Sequence, residues 1–159
     1  MTLILGIDPG LDGALAFFDP DAGTLEIEDV PTLTISKGKS NKRVVDEVQL
    51  AGLFDRRAAE IKEVWLEKVG SRPGEGHAGA FSFGTTYGLL RGLTVAHFIP
   101  LYDVAPVTWK KALKVAGEKD DARLRASQIM PRHAHLWTRK KDHGRAEAAL
   151  IAYYGSTKG

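Results

Sequence analysis

The stretch Leu3-Ile4-Leu5-Gly6-Ile7-Asp8-Pro9-Gly10 decides the fold prediction, because an apolar run ends there in a carboxylate and then in a chain reversal. A run of this length is typical of a buried central strand, and the Pro-Gly pair stops it at once. Asp8 is therefore expected at the end of a core strand, where a carboxylate is costly to bury unless it is paired or binds a cation. The alternative is that Asp8 only caps the turn.

The composition indicates one globular domain. The 159 residues are 43% hydrophobic, which suits a single domain over residues 1–159 with a substantial core. No apolar stretch is long enough to span a bilayer, and the N-terminus lacks the layout of a signal peptide, so no membrane contact is expected. The absence of cysteine excludes disulfides and thiolate metal sites, and it is typical of a cytoplasmic protein.

Positive charge is concentrated in one part of the chain. The formal net charge is only +2, but residues 110–141 contain ten basic side chains and three acidic ones. A segment of this kind is either a phosphate-binding surface or a solvated, lysine-rich one. Taken alone, the charge pattern does not decide between these two interpretations.

The order of apolar and polar residues predicts an α/β protein. Strands are expected at 3–7, 13–18, 24–28, 63–67 and 99–104. Helices are expected at 44–62, 78–97, 107–115, 120–130 and 144–154, and polar loops at 34–42, 68–77 and 131–143. This order predicts a mixed central sheet flanked by helices.

Acidic residues recur at positions that the fold prediction brings together. Glu67 ends the strand Val64-Trp65-Leu66-Glu67, so it has the same local setting as Asp8. If the two strands are parallel neighbours, both carboxylates lie at the sheet edge where open α/β sheets bind ligands. Asp142, His143 and Glu147 surround the start of the last helix and form a third acidic site.

Three or four carboxylates without a thiolate suit Mg²⁺ or Mn²⁺ rather than Zn²⁺. Two such ions, about 3.5–4 Å apart, catalyse in-line attack on phosphodiesters. The alternative is that Glu67 and Glu147 are ordinary surface acids and that Asp142 caps a helix.

Three motifs in this order resemble those of the RuvC-like Holliday junction resolvases. They are Gly6-Ile7-Asp8-Pro9-Gly10 with the strand after it, the strand end at Leu66-Glu67, and the segment Gly144-Arg145-Ala146-Glu147-Ala148-Ala149-Leu150-Ile151-Ala152. The resemblance covers nearly the whole chain, and the small size and the last motif are similar to the phage-encoded branch. It implies an RNase H-like fold, a homodimer and metal-dependent cleavage of two opposing strands of a four-way DNA junction. For a phage-encoded protein it also implies the host cytoplasm.

The resemblance assigns catalytic, metal-binding roles to Asp8, Glu67 and Glu147, with two Mg²⁺ or Mn²⁺ ions per site. The remaining ligand of the family normally lies three residues before the last acid, where this chain has Gly144. Asp142 or His143 must then supply it, and we favour Asp142 because a carboxylate suits Mg²⁺ better than an imidazole does. His143 is the alternative ligand, or a group that positions or protonates a phosphate oxygen.

The same resemblance predicts residues that contact DNA. Phe81 is expected to stack on an unpaired base near the junction centre, although an aromatic side chain at this position is equally compatible with a core residue. Basic side chains are expected to hold phosphates, namely Arg72, Lys110, Lys111, Lys114, Lys119, Arg123 and Arg145. For Arg145, neutralising the acid cluster is an alternative role.

Two other functions fit the same pattern of residues. One is a different nuclease on this fold, such as a ribonuclease H or an exonuclease, and the other is a junction-binding protein whose acids are structural. A third, an actin-like ATPase, would require a second lobe, for which 159 residues leave no room.

Overall fold

The computed structural model describes residues 2–159, apart from the side chain of Lys119, and over this range it contains seven strands and five α-helices. The strands are β1 (Leu3–Asp8), β2 (Ala14–Asp19), β3 (Thr24–Asp29), β4 (Thr32–Lys37), β5 (Ser40–Val45), β6 (Ile61–Glu67) and β7 (Leu101–Val104). The helices are α1 (Glu47–Arg57), α2 (His77–Ala96), α3 (Pro106–Ala112), α4 (Lys119–Ile129) and α5 (His143–Ser156).

The main sheet has the strand order β3-β2-β1-β6-β7. β2 is antiparallel to both β1 and β3, whereas β6 is parallel to both β1 and β7. The sheet is therefore mixed and α/β, as the sequence predicted. β1 is the central strand in this order, and its residues from Leu3 to Ile7 are buried.

Helices cover both faces of the sheet. Apolar side chains of β1, such as Leu5 and Ile7, pack with Leu50 and Phe54 of α1 and Leu90 of α2 on one face. The other face is covered by α5, with Trp109 of α3 and several alanines in the same cluster. Side chains alternate along a strand, so β2 contributes to both cores, with Leu15 and Phe17 on the first face and Ala14 and Ala16 on the other.

Glycine and alanine bring α5 unusually close to the central strand. A Cβ atom on Gly6 would lie 2.3 Å from the carbonyl oxygen of Ala148 and 2.3 Å from the backbone nitrogen of Ala152. Only glycine in β1 permits this approach. As a result, the first turn of α5 lies beside the end of β1, and Glu147 lies within reach of Asp8.

The segment predicted as a polar loop at 34–42 is instead a β-hairpin. β4 and β5 pair from Thr32↔Val45 to Lys37↔Ser40, and a two-residue turn at Gly38-Lys39 joins them. Gly38 has a φ of +60°, which suits the first position of a type II′ turn. The prediction was wrong because the many polar side chains concealed a short alternation, in which Leu33 and Ile35 alternate with Thr32, Thr34 and Ser36.

Two other segments also differ from their predicted secondary structure. The segment 131–143, predicted as a loop, contains 3₁₀ turns at Pro131–Trp137 and Lys140–Asp142, and Trp137 is buried. The helix predicted at 44–62 ends at Arg57, and β6 already begins at Ile61.

Within the described part of the chain, no helix is long and apolar enough to cross a membrane.

Candidate active site

Two carboxylates meet at one edge of the sheet because their strands are parallel neighbours. Ile7 of β1 is paired with Leu66 of β6, so Asp8 and Glu67 follow side by side at the carboxyl ends of these strands. Glu147 approaches from α5, one turn after the start of this helix at His143. One carboxylate oxygen from each of these three residues lies within 4.8 Å of the other two.

The environment makes this cluster of negative charge unfavourable without a cation. Glu67 is only 8% exposed, and Asp8 and Glu147 are partly buried. Burial, followed by repulsion from Glu147 and Glu67, raises the pKa of Asp8 well above its ordinary value. Burial, together with repulsion from Glu147, also raises the pKa of Glu67, against the lowering effect of a hydrogen bond from Trp109.

The donor set therefore fits a hard divalent cation. Three carboxylates converge at metal-binding distances, and their mutual repulsion is the charge that such an ion would neutralise. Of the four carboxylates that the sequence predicted as metal ligands, the structure brings together Asp8, Glu67 and Glu147, whereas Asp142 lies outside this group. A carboxylate cluster able to bind a metal is thus present at the sheet edge.

A buried tryptophan orients Glu67, through a contact that was not predicted from the sequence. The indole nitrogen of Trp109 donates a hydrogen bond of 2.8 Å to Oε2 of Glu67, and Trp109 is fully buried. The two residues are 42 positions apart, in α3 and β6. A tryptophan in a short helix predicts packing, but the partner of its N–H depends on the tertiary structure.

The carboxylates lie in an open cleft of about 640 Å³. Basic side chains on its wall are Arg72, from the loop after β6, and Lys110 of α3. Their positive charge lowers the pKa of Glu67, although less than burial raises it. A cleft that combines a metal-binding floor with basic walls is suited to a phosphodiester.

The structure separates the two candidates for the fourth ligand. His143 lines the same cleft as Glu147, one turn earlier on α5. Asp142 is 5% exposed and faces a different depression, where the Arg139 guanidinium binds it through contacts of 2.8 and 3.0 Å. The hydrogen bonds from Arg139 lower the pKa of Asp142, as expected for a structural ion pair. Of the two candidates, His143 therefore shares the cleft with the three carboxylates, and Asp142 does not.

Close packing explains why Gly144 replaces the usual ligand of the resembled family. A Cβ atom at position 144 would lie 2.3 Å from the carbonyl oxygen of Asp12, on the turn between β1 and β2. This position therefore faces the turn, and a side chain has no space there. His143 occupies the neighbouring position, and it lines the cleft.

The predicted DNA-contact residues lie in different parts of the structure. Arg72 and Lys110 line the cleft, and Lys111 and Lys114 are exposed in and just after α3. Phe81 is 79% exposed, but it lines a groove between α2 and the β4–β5 hairpin instead of the acidic cleft. The side chain of Lys119 lies outside the described residues.

Arg123 and Arg145 are engaged within the protein. Arg123 donates hydrogen bonds to the carbonyl of Thr138 and to Asp120. Arg145 binds both carboxylate oxygens of Asp29, at 2.7 and 2.6 Å. Both guanidinium groups hold loops to helices, and we leave them out of the proposed DNA surface.

The sequence matches no family model and no curated protein, whereas the fold has solved counterparts. The chain is similar to Thermus thermophilus RuvC in complex with Holliday junction substrate, with a TM-score of 0.58 and 16% identity, over 100% of this chain and 97% of that one. A second Thermus thermophilus RuvC structure gives a TM-score of 0.53 at 19% identity, over 99% and 96% of the two chains.

The yeast mitochondrial Holliday junction resolvase Ydc2 is also similar, with a TM-score of 0.57 and 16% identity, over 95% of this chain and 76% of that one. At this level of identity the comparisons bear on the fold, and they confirm the predicted α/β, RNase H-like architecture. The phage-encoded branch remains a prediction. The chain thus has the fold of the RuvC-type Holliday junction resolvases.

Proposed function

We propose that this protein is a metal-dependent endonuclease that cleaves phosphodiester bonds in branched DNA, especially in four-way junctions. The observation that carries the proposal is the convergence of Asp8, Glu67 and Glu147 at the sheet edge of a RuvC-type fold. One of the similar structures is bound to a Holliday junction substrate, which supports this substrate class.

In this proposal Asp8, Glu67 and Glu147 bind two Mg²⁺ or Mn²⁺ ions, with His143 as an additional ligand. The bound ions would supply Lewis acidity toward the phosphoryl oxygens and a water molecule of lowered pKa. Trp109 holds the carboxylate of Glu67 in a fixed orientation. Lys110 and Arg72, on the cleft wall, bind the phosphate that is cut and balance the charge gained in the transition state.

The reaction is hydrolysis. Water adds to phosphorus, the bond from phosphorus to the 3′ oxygen breaks, and the products carry a 5′-phosphate and a 3′-hydroxyl. We further propose a homodimer, because two subunits related by a two-fold axis can present two active sites to opposing strands of one junction.

The proposal is tested by incubating the protein with three end-labelled substrates of matched length: a four-way junction, a linear duplex and an RNA–DNA hybrid. Cleavage of the junction in Mg²⁺ or Mn²⁺, but not in EDTA, is expected from the wild type, and no cleavage from Asp8→Asn. Preferential cutting of the hybrid would indicate a ribonuclease H instead. Junction binding without cleavage in either metal would indicate a binding protein whose acids are structural.

A further inference from the structure

The β4–β5 hairpin extends from the body of the protein as a separate two-stranded ribbon. Its strands pair with each other and with no strand of the main sheet. Every residue from Ser36 to Arg43 is exposed. Each strand has six residues and is therefore about 20 Å long.

All charged residues of the hairpin are basic. It contains Lys37, Lys39, Lys42 and Arg43, and no acidic residue occurs between Pro31 and Val45. Arg43 is paired with Asp12, whereas the three lysines form no ion pair among the described residues. Ordinary solvated surfaces mix charges of both signs, so an unbalanced ribbon of this kind favours an anionic partner.

The base of the hairpin is attached to the edge of the sheet that carries the carboxylates. Nη2 of Arg43 lies 2.6 Å from Oδ1 of Asp12, four residues after Asp8. The backbone nitrogen of Asp46 also donates to the carbonyl of Pro31 at 2.8 Å, which closes the base of the hairpin. Lys110 follows β7 at the far edge of the sheet, so positive charge lies on both sides of the acidic cleft.

The hairpin also borders the exposed aromatic side chain of α2. Leu33 and Lys42 of the hairpin and Phe81 of α2 line one groove of about 420 Å³. A cation and an aromatic ring side by side are a common combination on surfaces that bind nucleic acids.

We propose that the β4–β5 hairpin is a DNA-binding arm, in which Lys37, Lys39 and Lys42 bind phosphates of a duplex segment that leaves the cleft on the side away from Lys110. A two-stranded ribbon fits the major groove of a DNA duplex, and lysines bind the phosphates that border it. This inference rests on the proposed function, since it takes the duplex to be an arm of the branched substrate.

The first test compares two variants of equal charge. Lys37→Gln/Lys39→Gln/Lys42→Gln removes the three hairpin lysines, and Lys62→Gln/Arg132→Gln/Lys158→Gln removes three exposed cations near the opposite edge of the sheet. Binding to a four-way junction is measured in Ca²⁺ across a range of salt concentrations. Each lost phosphate contact lowers the slope of log K against log salt by ~0.9, so the hairpin variant is expected to lose up to ~2.7. The control variant should keep the wild-type slope.

The second test locates the contact on the DNA. The chain has no cysteine, so Lys39→Cys introduces a single thiol at the tip of the hairpin. Junctions with a thiol tethered at successive phosphates of one arm are expected to form a disulfide with this variant at positions away from the branch point. Lys62→Cys is the matched control and should give no position-dependent crosslink.

The outcomes separate this inference from the proposed function. Wild-type slopes for the hairpin variant, with junction cleavage intact, would overturn the DNA-binding arm alone. Crosslinks confined to the branch point would likewise overturn the duplex-arm assignment. A wild type that binds the junction through the hairpin but cuts nothing would overturn the nuclease proposal and leave the arm in place. A wild type that binds no DNA would overturn both.

Discussion

At the scale of single residues, the sequence predicted which carboxylates meet at the sheet edge, but not the side chains that hold them in place. Asp8 and Glu67 were predictable because each ends an apolar run, and parallel neighbouring strands bring such ends together. The contact of Trp109 with Glu67 was not predictable, because it joins residues 42 positions apart and depends on how α3 packs. Asp142 was assigned to the cluster because it precedes the last helix and because a carboxylate suits Mg²⁺, but the nearby Arg139 gives it a different partner.

Asp8→Asn is expected to abolish cleavage and to stabilise the metal-free protein. The pKa of Asp8 is raised above its ordinary value of 3.8, so its ionised form opposes folding. This penalty is absent at a pH below 3.8 and complete above the folded-state pKa, so unfolding free energy is lost as the pH rises between them. In EDTA the Tm of the variant should exceed that of the wild type at pH 7, and the gap should close towards pH 4.

The loss of cleavage should exceed ~100-fold, which is the upper end of the effect of removing a hydrogen-bond partner of a metal ligand. Thermal melts from pH 4 to pH 8, with and without Mg²⁺, check the stability effect. Mg²⁺ should raise the Tm of the wild type more than that of the variant. A variant that is less stable than the wild type in EDTA at pH 7 would show that the buried, ionised carboxylate of Asp8 does not destabilise the folded protein.

His143→Ala and Asp142→Asn should have different effects. His143 lines the acidic cleft, so its loss is expected to raise the Mg²⁺ concentration needed for half-maximal cleavage by ~10–100-fold. Asp142→Asn should lower stability by ~1–2 kcal/mol through loss of the ion pair with Arg139, with little change in metal requirement. Metal titrations of both variants decide the assignment. A strong metal defect in Asp142→Asn alone would restore Asp142 as the ligand.

At the scale of secondary structure elements, packing determines which side chains enter the site. α5 lies against β1 through Gly6 and against the β1–β2 turn through Gly144. The strands with apolar side chains were predictable because burial imposes an apolar pattern on them. The β4–β5 hairpin was not predicted, since its exposed strands contain mostly polar residues and resemble a loop.

Gly144→Asp should fail to create a fourth carboxylate ligand. The new Cβ atom would meet the carbonyl oxygen of Asp12 at 2.3 Å, and this oxygen belongs to the backbone of the β1–β2 turn, so the contact is relieved only if the backbone moves. Overpacking of this kind costs about 1–3 kcal/mol. Lower Tm together with lower activity is expected, measured by melting and junction cleavage. Normal stability with a reduced metal requirement would mean that α5 can move away from the turn.

Trp109→Phe should weaken metal binding more than it weakens the fold. The substitution keeps an aromatic ring in the core but removes the N–H that donates to Glu67. Loss of such a supporting hydrogen bond is expected to raise the half-maximal Mg²⁺ concentration by ~10–100-fold. Trp137→Phe is the matched control, because Trp137 is equally buried and its indole nitrogen donates instead to Ser127. Equal metal requirements for both variants would show that Trp109 only fills space.

At the scale of the whole molecule, one cleft can cut one strand. The described chain brings together a single cluster of three carboxylates within metal-binding distance, at the carboxyl ends of β1 and β6. Symmetric cleavage of a four-way junction therefore requires two copies of the chain, each supplying its own Asp8. The basic surfaces at α3 and at the β4–β5 hairpin would then be repeated around the junction by the two-fold axis.

Mixing subunits tests this arrangement. Wild type and Asp8→Asn are refolded together in equal amounts, and the mixture is given a supercoiled plasmid that extrudes a cruciform. Cuts in two opposing strands linearise the plasmid, whereas one cut leaves an open circle. A dimer with one working site should nick and not linearise, so the mixture should give more open circle than a blend of separately folded proteins. Equal product ratios in the two samples, or a monomeric mass for the wild type on the junction, would contradict the dimer. The comparison is decisive because refolding changes only the subunit composition, while the number of working sites stays the same.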